Sequence, residues 1–112
     1  LTSLDSKSIK QLGWKSDVKK NVINYALICK QAGLDGVVCS AHEIESVRKV
    51  CGKKFLIITP GIRLEKNVKN DQARVLTPLA AFNKGTDYIV IGRPVMNSKN
   101  PNEEILNILK TN

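Results

Sequence analysis

The sequence predicts an α/β fold with a parallel sheet of about four strands. Three observations carry this. Helical and strand patterns alternate along the 112 residues. The strand patterns are short apolar runs, such as Phe55-Leu56-Ile57-Ile58-Thr59 and Tyr88-Ile89-Val90-Ile91, which read as strands buried on both faces. Each of these two runs then meets proline and glycine, the punctuation of a turn between strand and helix.

The elements follow in order. Leu1-Thr2-Ser3 reads as the C-terminal end of a first strand. Asp5 to Leu12 is a short amphipathic helix stopped by Gly13. Ser16 is placed to cap a longer helix, with Asp17 in the first turn against the positive end of the helix dipole. Val18, Val22, Tyr25, Ala26 and Cys29 recur there at helical spacing, and Gly33 sits where a C-terminal cap belongs. Gly36-Val37-Val38-Cys39 is a short buried strand. Ser40-Ala41-His42-Glu43 has the pattern of a capping box, opening a helix through Ile44, Val47, Arg48 and Cys51 that Gly52 stops.

The strand at 55–59 leads into a long polar loop, 60–76, carrying Arg63, Lys66, Lys69 and Arg74. Thr77-Pro78 is a cap followed by proline at the first helical position, and a short helix runs to Lys84 with Gly85 closing it. The strand at 87–91 and a last helix over 102–110, with Glu103 and Glu104 in its first turn, complete the chain. Residues 1–112 thus read as a single region without linker or low-complexity tract. Four strand–helix units make either a small open sheet or half of an eight-unit barrel. An opening apolar residue with no initiator methionine favours the half barrel.

The net charge is +8, from 18 basic and 10 acidic residues, and implies an anionic partner. Without a nucleic-acid motif, and with aromatics at 4%, that partner reads as a phosphorylated metabolite and not as nucleic acid. No stretch is apolar enough to span a membrane, and the start lacks the features of a signal peptide. Cys29, Cys39 and Cys51 are an odd set without C-x-x-C spacing; Cys39 and Cys51 read as small buried hydrophobes, and the set suggests a reducing cytoplasm and not a disulfide frame or metal site.

The candidate site lies at two strand ends. Gly92-Arg93 follows one apolar run and Pro60-Gly61-Ile62-Arg63 the other. A glycine lets backbone approach a ligand, and a guanidinium offers a planar fork of donors matched to phosphate. One such turn would read as surface punctuation; two on consecutive strands point to a shared anion site. This is how the last strands of a (β/α)8 barrel hold phosphorylated ligands.

With these residues assembled, the chain resembles orotidine 5′-phosphate decarboxylases of the bacterial type. The resemblance lies in Leu1-Thr2-Ser3, Gly33 to Ala41, Thr59-Pro60-Gly61-Ile62-Arg63, Asp71-Gln72, Thr77-Pro78 and Asp87 to Pro94, in the family's order and at similar spacing. It implies the C-terminal half of a (β/α)8 barrel, homodimeric and cytoplasmic when complete. The implied reaction converts orotidine monophosphate to uridine monophosphate and CO2, without metal or organic cofactor. By resemblance Thr2 contacts the pyrimidine side, Arg63 binds substrate after the seventh strand, and Gln72 belongs to the closing loop. Gly92 and Arg93 would clamp the phosphate after the eighth strand.

The chain departs from the family in one large respect. The family's chemistry rests on a D-x-K-x-x-D motif, which is absent here; Asp17-Val18-Lys19 is the nearest match and lacks the second aspartate. No catalytic residue is therefore expected in this chain, which would depend on a missing N-terminal half. Two alternatives stand beside this reading: a non-catalytic phosphate-binding half barrel, and a related phosphosugar decarboxylase or isomerase of the same fold. Taken one by one, the residues also have plainer readings. Thr2 and Ser3 can cap a helix, Gln72 can be a surface glutamine, and Arg63 can pair with Glu65 or Asp71. His42 falls in the first turn of a capped helix and is not taken as an acid or base, and Trp14 reads as a packing anchor.

Overall fold

The computed structural model describes residues 2–3, 5–15, 17–63 and 76–110. Two short elements precede the sheet: α1 (Ser6–Gln11) and the longer α2 (Val18–Gln31). Three strands follow, β1 (Gly36–Val38), β2 (Leu56–Pro60) and β3 (Tyr88–Val90), with α3 (Ile44–Cys51) and α4 (Pro78–Asn83) as the crossovers between them. The chain ends in α5 (Arg93–Met96) and α6 (Pro101–Lys110). The strands pair in parallel in the order β1-β2-β3, with Val37 opposite Ile57 and Thr59 opposite Ile89.

Three strands, rather than about four, form the sheet among the described residues. Thr2 and Ser3 lie in a turn and are exposed. So short a segment offers too few ladder hydrogen bonds to offset the entropy of ordering it.

Helices cover one face of this sheet. Val22 and Ala26 of α2 and Ile44, Val47 and Cys51 of α3 pack with Cys39, Phe55 and Ile57 into the core. Ile44, Val47 and Ile57 are fully buried, each stabilising the fold by about 1.5–3 kcal/mol relative to an exposed position. Cys39 and Cys51 are the small buried hydrophobes the sequence predicts, and all three cysteines are free thiols. Trp14 packs edge-on against Tyr25 with ring centroids 5.9 Å apart.

The opposite face corrects the expectation of strands buried on both sides. Val38, Leu56, Tyr88 and Val90 are exposed there, Tyr88 to 58% and Val90 to 52%. Side chains alternate across a strand, so a single helical layer buries only every second residue. Close packing within the sheet shows at Gly36, where a Cβ would stand 2.3 Å from the Leu56 carbonyl oxygen. No side chain fits there without shifting backbone.

Helix ends follow the predicted signals with two corrections. Asp17, and not Ser16, is the N-cap of α2, its carboxylate accepting from Lys20 N–H at 2.8 Å. A carboxylate makes the stronger, charge-assisted cap, and Ser16 lies outside the described residues. Ser40 and Glu43 do meet, but side chain to side chain. Residues 41–43 form a turn, the helix starts at Ile44, and no side chain caps it. Thr77 caps α4 as expected, with Pro78 in its first turn. The C-terminus of α2 closes with Gly33 N–H to Lys30 O and Leu34 N–H to Cys29 O, both 3.1 Å, the paired bonds of a Schellman cap.

Candidate functional site

Parallel pairing brings the ends of β2 and β3 side by side, Pro60 opposite Val90. Gly61 follows with φ +76°, a left-handed turn that favours glycine, and Ile62 then buries its side chain. That anchor leaves Arg63 exposed, with its N–H held by Leu76 O at 3.1 Å. After β3 the chain passes through Ile91 to Gly92, the N-cap of α5, whose carbonyl accepts from Val95 and Met96 N–H at 3.0 and 3.1 Å. Arg93 is the first residue of that helix and is exposed.

These segments enclose an open cavity of about 800 Å³ at the C-terminal edge of the sheet. Arg63, Gly92 and Arg93 line it together, with Pro60 and Val90 among its apolar residues and Asn97, Ser98 and Glu104 among its polar ones. The volume falls in the range of small-molecule sites. A Cβ built on Gly92 meets nothing within 4 Å, and φ there is −109°. Open space therefore lies beside Arg93 at Gly92. Two arginines and an uncovered backbone lining one cavity have the donor chemistry that suits a multiply charged anion.

The other expected site residues stand apart. Thr2 is exposed in a turn and does not line the cavity. Gln72 lies outside the described residues. Nothing in the sequence marks Asn97, Ser98 and Glu104 as cavity residues; Glu104 reads there only as an acid in the first turn of the last helix. His42 is exposed in the turn before α3. Among the described residues no group of His, Cys, Asp and Glu is placed to hold a metal ion, and no helix is long and apolar enough to cross a membrane.

Comparison with known proteins fits this geometry. Residues 1–108 match the Orotidine 5′-phosphate decarboxylase / HUMPS family. The chain belongs to that family. It is 41% identical over 110 residues to the orotidine 5′-phosphate decarboxylase of Legionella pneumophila (strain Corby), covering 98% of this chain and 48% of that protein. To the orotidine 5′-phosphate decarboxylase of Coxiella burnetii (strain RSA 331 / Henzerling II) it is 52% identical over 101 residues, covering 90% and 43%. Among solved structures, orotidine 5′-phosphate decarboxylase from Lactobacillus acidophilus superposes with a TM-score of 0.83 at 29% identity, covering 99% of this chain and 45% of that one. An uncharacterized conserved protein from Geobacillus kaustophilus gives 0.79 at 32% identity, covering 99% and 45%. The chain thus spans about half the length of the family members it matches, and its parallel sheet with helices on one face is part of their fold.

Proposed function

We propose that this chain is the phosphate-gripping C-terminal half of an orotidine 5′-phosphate decarboxylase, acting on orotidine monophosphate to give uridine monophosphate and CO2. One observation supports this above the others: Arg63 and Arg93, from consecutive parallel strand ends, line one cavity beside the open space at Gly92. The finer assignments belong to the same reading. Arg93 and the Gly92 backbone hold the 5′-phosphate, Arg63 holds the nucleotide from the β2 side, Gln72 reaches it from the 60–76 loop, and Thr2 serves the pyrimidine. The complete enzyme is a cytoplasmic homodimer.

Loss of CO2 leaves a carbanion at the base, which a positioned acid must protonate. This chain has no D-x-K-x-x-D motif, so that acid belongs to the other half of the barrel. Here the task is remote binding. Free energy gathered on the phosphate holds the base against the reacting groups and offsets distortion there. The missing motif also favours a second reading, a half barrel that binds phosphate without catalysis.

Calorimetry on the complete protein tests the site. Arg93→Ala weakens uridine monophosphate binding by about 1.5–3 kcal/mol, the worth of hydrogen bonds to a charged group, and Arg93→Lys recovers only part. Uridine, which lacks the phosphate, loses far less. Gly92→Ala also weakens the nucleotide, because its methyl group occupies the open space. Unchanged nucleotide affinity in Arg93→Ala would sink the proposal. Turnover on adding a chain that carries the D-x-K-x-x-D motif separates the enzyme from the non-catalytic reading.

A further inference from the structure

A pair of buried hydroxyls joins β2 to the start of β3. Thr59 immediately precedes Pro60, which lines the cavity, and is fully buried. Thr86 stands two residues before β3 and is 5% exposed. Their Oγ1 atoms lie 2.8 Å apart. Thr86 Oγ1 also donates to Ile57 O in β2 and to Tyr88 O in β3, both at 3.0 Å. It has one proton, which the two carbonyls share, so the proton between the hydroxyls comes from Thr59. Filling the core does not require this pair. Valine has nearly the shape of threonine, and replacing both partners of a buried hydrogen bond by apolar groups of like shape can leave stability almost unchanged. What the hydroxyls add is position.

The strands themselves define their register weakly. Leu56-Ile57-Ile58 and Tyr88-Ile89-Val90-Ile91 are apolar at every position. The hydroxyls meet where Thr59 stands opposite Ile89 and Pro60 opposite Val90. A slip of two residues would keep the same strand faces but carry one hydroxyl past the other by about 6–7 Å, breaking the bond between them. The same register sets the relative heights of Arg63 and Arg93. Between Thr59 and Arg63 the chain is fixed: Gly61 turns with φ +76°, Ile62 is 2% exposed, and Arg63 N–H is bonded to Leu76 O at 3.1 Å. After β3, Val95 and Met96 N–H hold Gly92 O, and Arg93 is the first residue of α5. We infer that Thr59 and Thr86 are positioning residues, whose hydroxyl pair locks β2 against β3 in the register that brings Arg63 and Arg93 to one phosphate. The inference rests on the phosphate site proposed above.

The test measures binding of uridine monophosphate and uridine, together with the urea midpoint, for the complete protein carrying Thr59→Val, Thr86→Val, both valines, Thr86→Ser or Arg93→Ala. The double valine variant leaves no hydroxyl unpaired and keeps a midpoint near that of the parent. It binds uridine monophosphate about three- to tenfold more weakly, the equivalent of one hydrogen bond, and uridine with a smaller loss. Each single valine variant loses as much nucleotide affinity as the double, because the pair acts as a unit. Thr86→Ser keeps the hydroxyl and the affinity. If Arg93→Ala loses affinity while the double valine variant binds uridine monophosphate as tightly as the parent, the hydroxyls serve only the core and the inference is overturned. An equal loss for uridine overturns it too, as does a loss in Thr86→Ser as large as in Thr86→Val. A double valine variant that fails to fold would make the pair a stabilising one and would also overturn the positioning role. If Arg93→Ala itself leaves the nucleotide unaffected, the phosphate site fails, and this inference with it.

Discussion

Removing the Arg48 guanidinium disconnects three segments at the edge of the sheet opposite the cavity. Arg48 lies in the last turn of α3. Its Nη1 donates to Gly52 O at 2.8 Å, Lys53 O at 3.2 Å and Phe55 O at 2.7 Å, gathering the turn that leads into β2. Nε and Nη2 donate to Gly85 O at 3.0 and 2.7 Å, and Nη2 meets Asp87 Oδ2 at 2.6 Å. The same Asp87 oxygen accepts from Ile57 N–H at 2.7 Å. One cation therefore ties the entry to β2 to the entry to β3.

The size of the effect follows from exposure. Hydrogen bonds to a charged group contribute about 1.5–3 kcal/mol each, but several acceptors here share one nitrogen and can regain water. The ion pair is partly screened, with side chains 18% and 32% exposed, between a surface pair at about 0–1 kcal/mol and a buried one at about 3–5. Arg48→Ala should destabilise the complete protein by about 3 kcal/mol, read as a lower urea midpoint with an unchanged slope. Arg48→Lys should recover less than half, since one ammonium cannot span carbonyls on both sides. A midpoint for Arg48→Ala corresponding to a loss under about 0.5 kcal/mol, the usual range for surface changes, would refute the reasoning.

Two other perturbations have definite signs. Gly36→Ala forces a methyl group to within 2.3 Å of Leu56 O, so thermal unfolding should show a loss of at least about 1–3 kcal/mol; a neutral result would mean that β1 sits elsewhere. At Cys39, burial first and the neighbouring Glu43 second push the thiol up to about 11 from its ordinary 9.0. The fold thus retains the proton that the unfolded chain releases first. This contribution is full below about pH 9 and is lost as pH rises through about 11, about 2–3 kcal/mol in all. A plot of unfolding free energy against pH should fall more steeply over that window in the parent than in Cys39→Ala; equal slopes would remove the thiol from the account.

The parts legible in sequence were those set by neighbouring residues. Thr77-Pro78 opens α4, and the apolar runs fall on β2 and β3. Gly61 with Arg63 and Gly92 with Arg93 could be matched because parallel strands put like ends together. The position of the α2 cap was missed by one residue because Ser16 and Asp17 both carry the chemistry of an N-cap. The exposed face of the sheet could not be read, because an apolar run looks the same whether one layer or two cover it. Arg48 looked like an ordinary residue of a helix face, since its acceptors at Gly85 and Asp87 lie 37 and 39 residues away.

Val90 links the site to the uncovered face. It closes β3 on the exposed side of the sheet and also forms part of the cavity wall. The cavity that Arg63 and Arg93 line therefore shares a residue with the bare apolar face of the sheet. A parallel sheet is stable with both faces covered, so whatever covers Val38, Leu56, Tyr88 and Val90 must also approach the open end of the cavity. Under the proposed function, the part that buries the sheet would also bring groups to the base of a nucleotide held by its phosphate, which would couple folding to substrate binding. Phosphate recognition can then reside wholly in β2, β3 and the turns after them, while bond breaking is assigned to residues that arrive with the covering layer. The division is chemically reasonable because the phosphate is remote from the reacting carbon. Under the proposed function its grip would need only charge, an open backbone and two strand ends in register, and these features are present at Arg63, Arg93, Gly92 and the β2–β3 pairing.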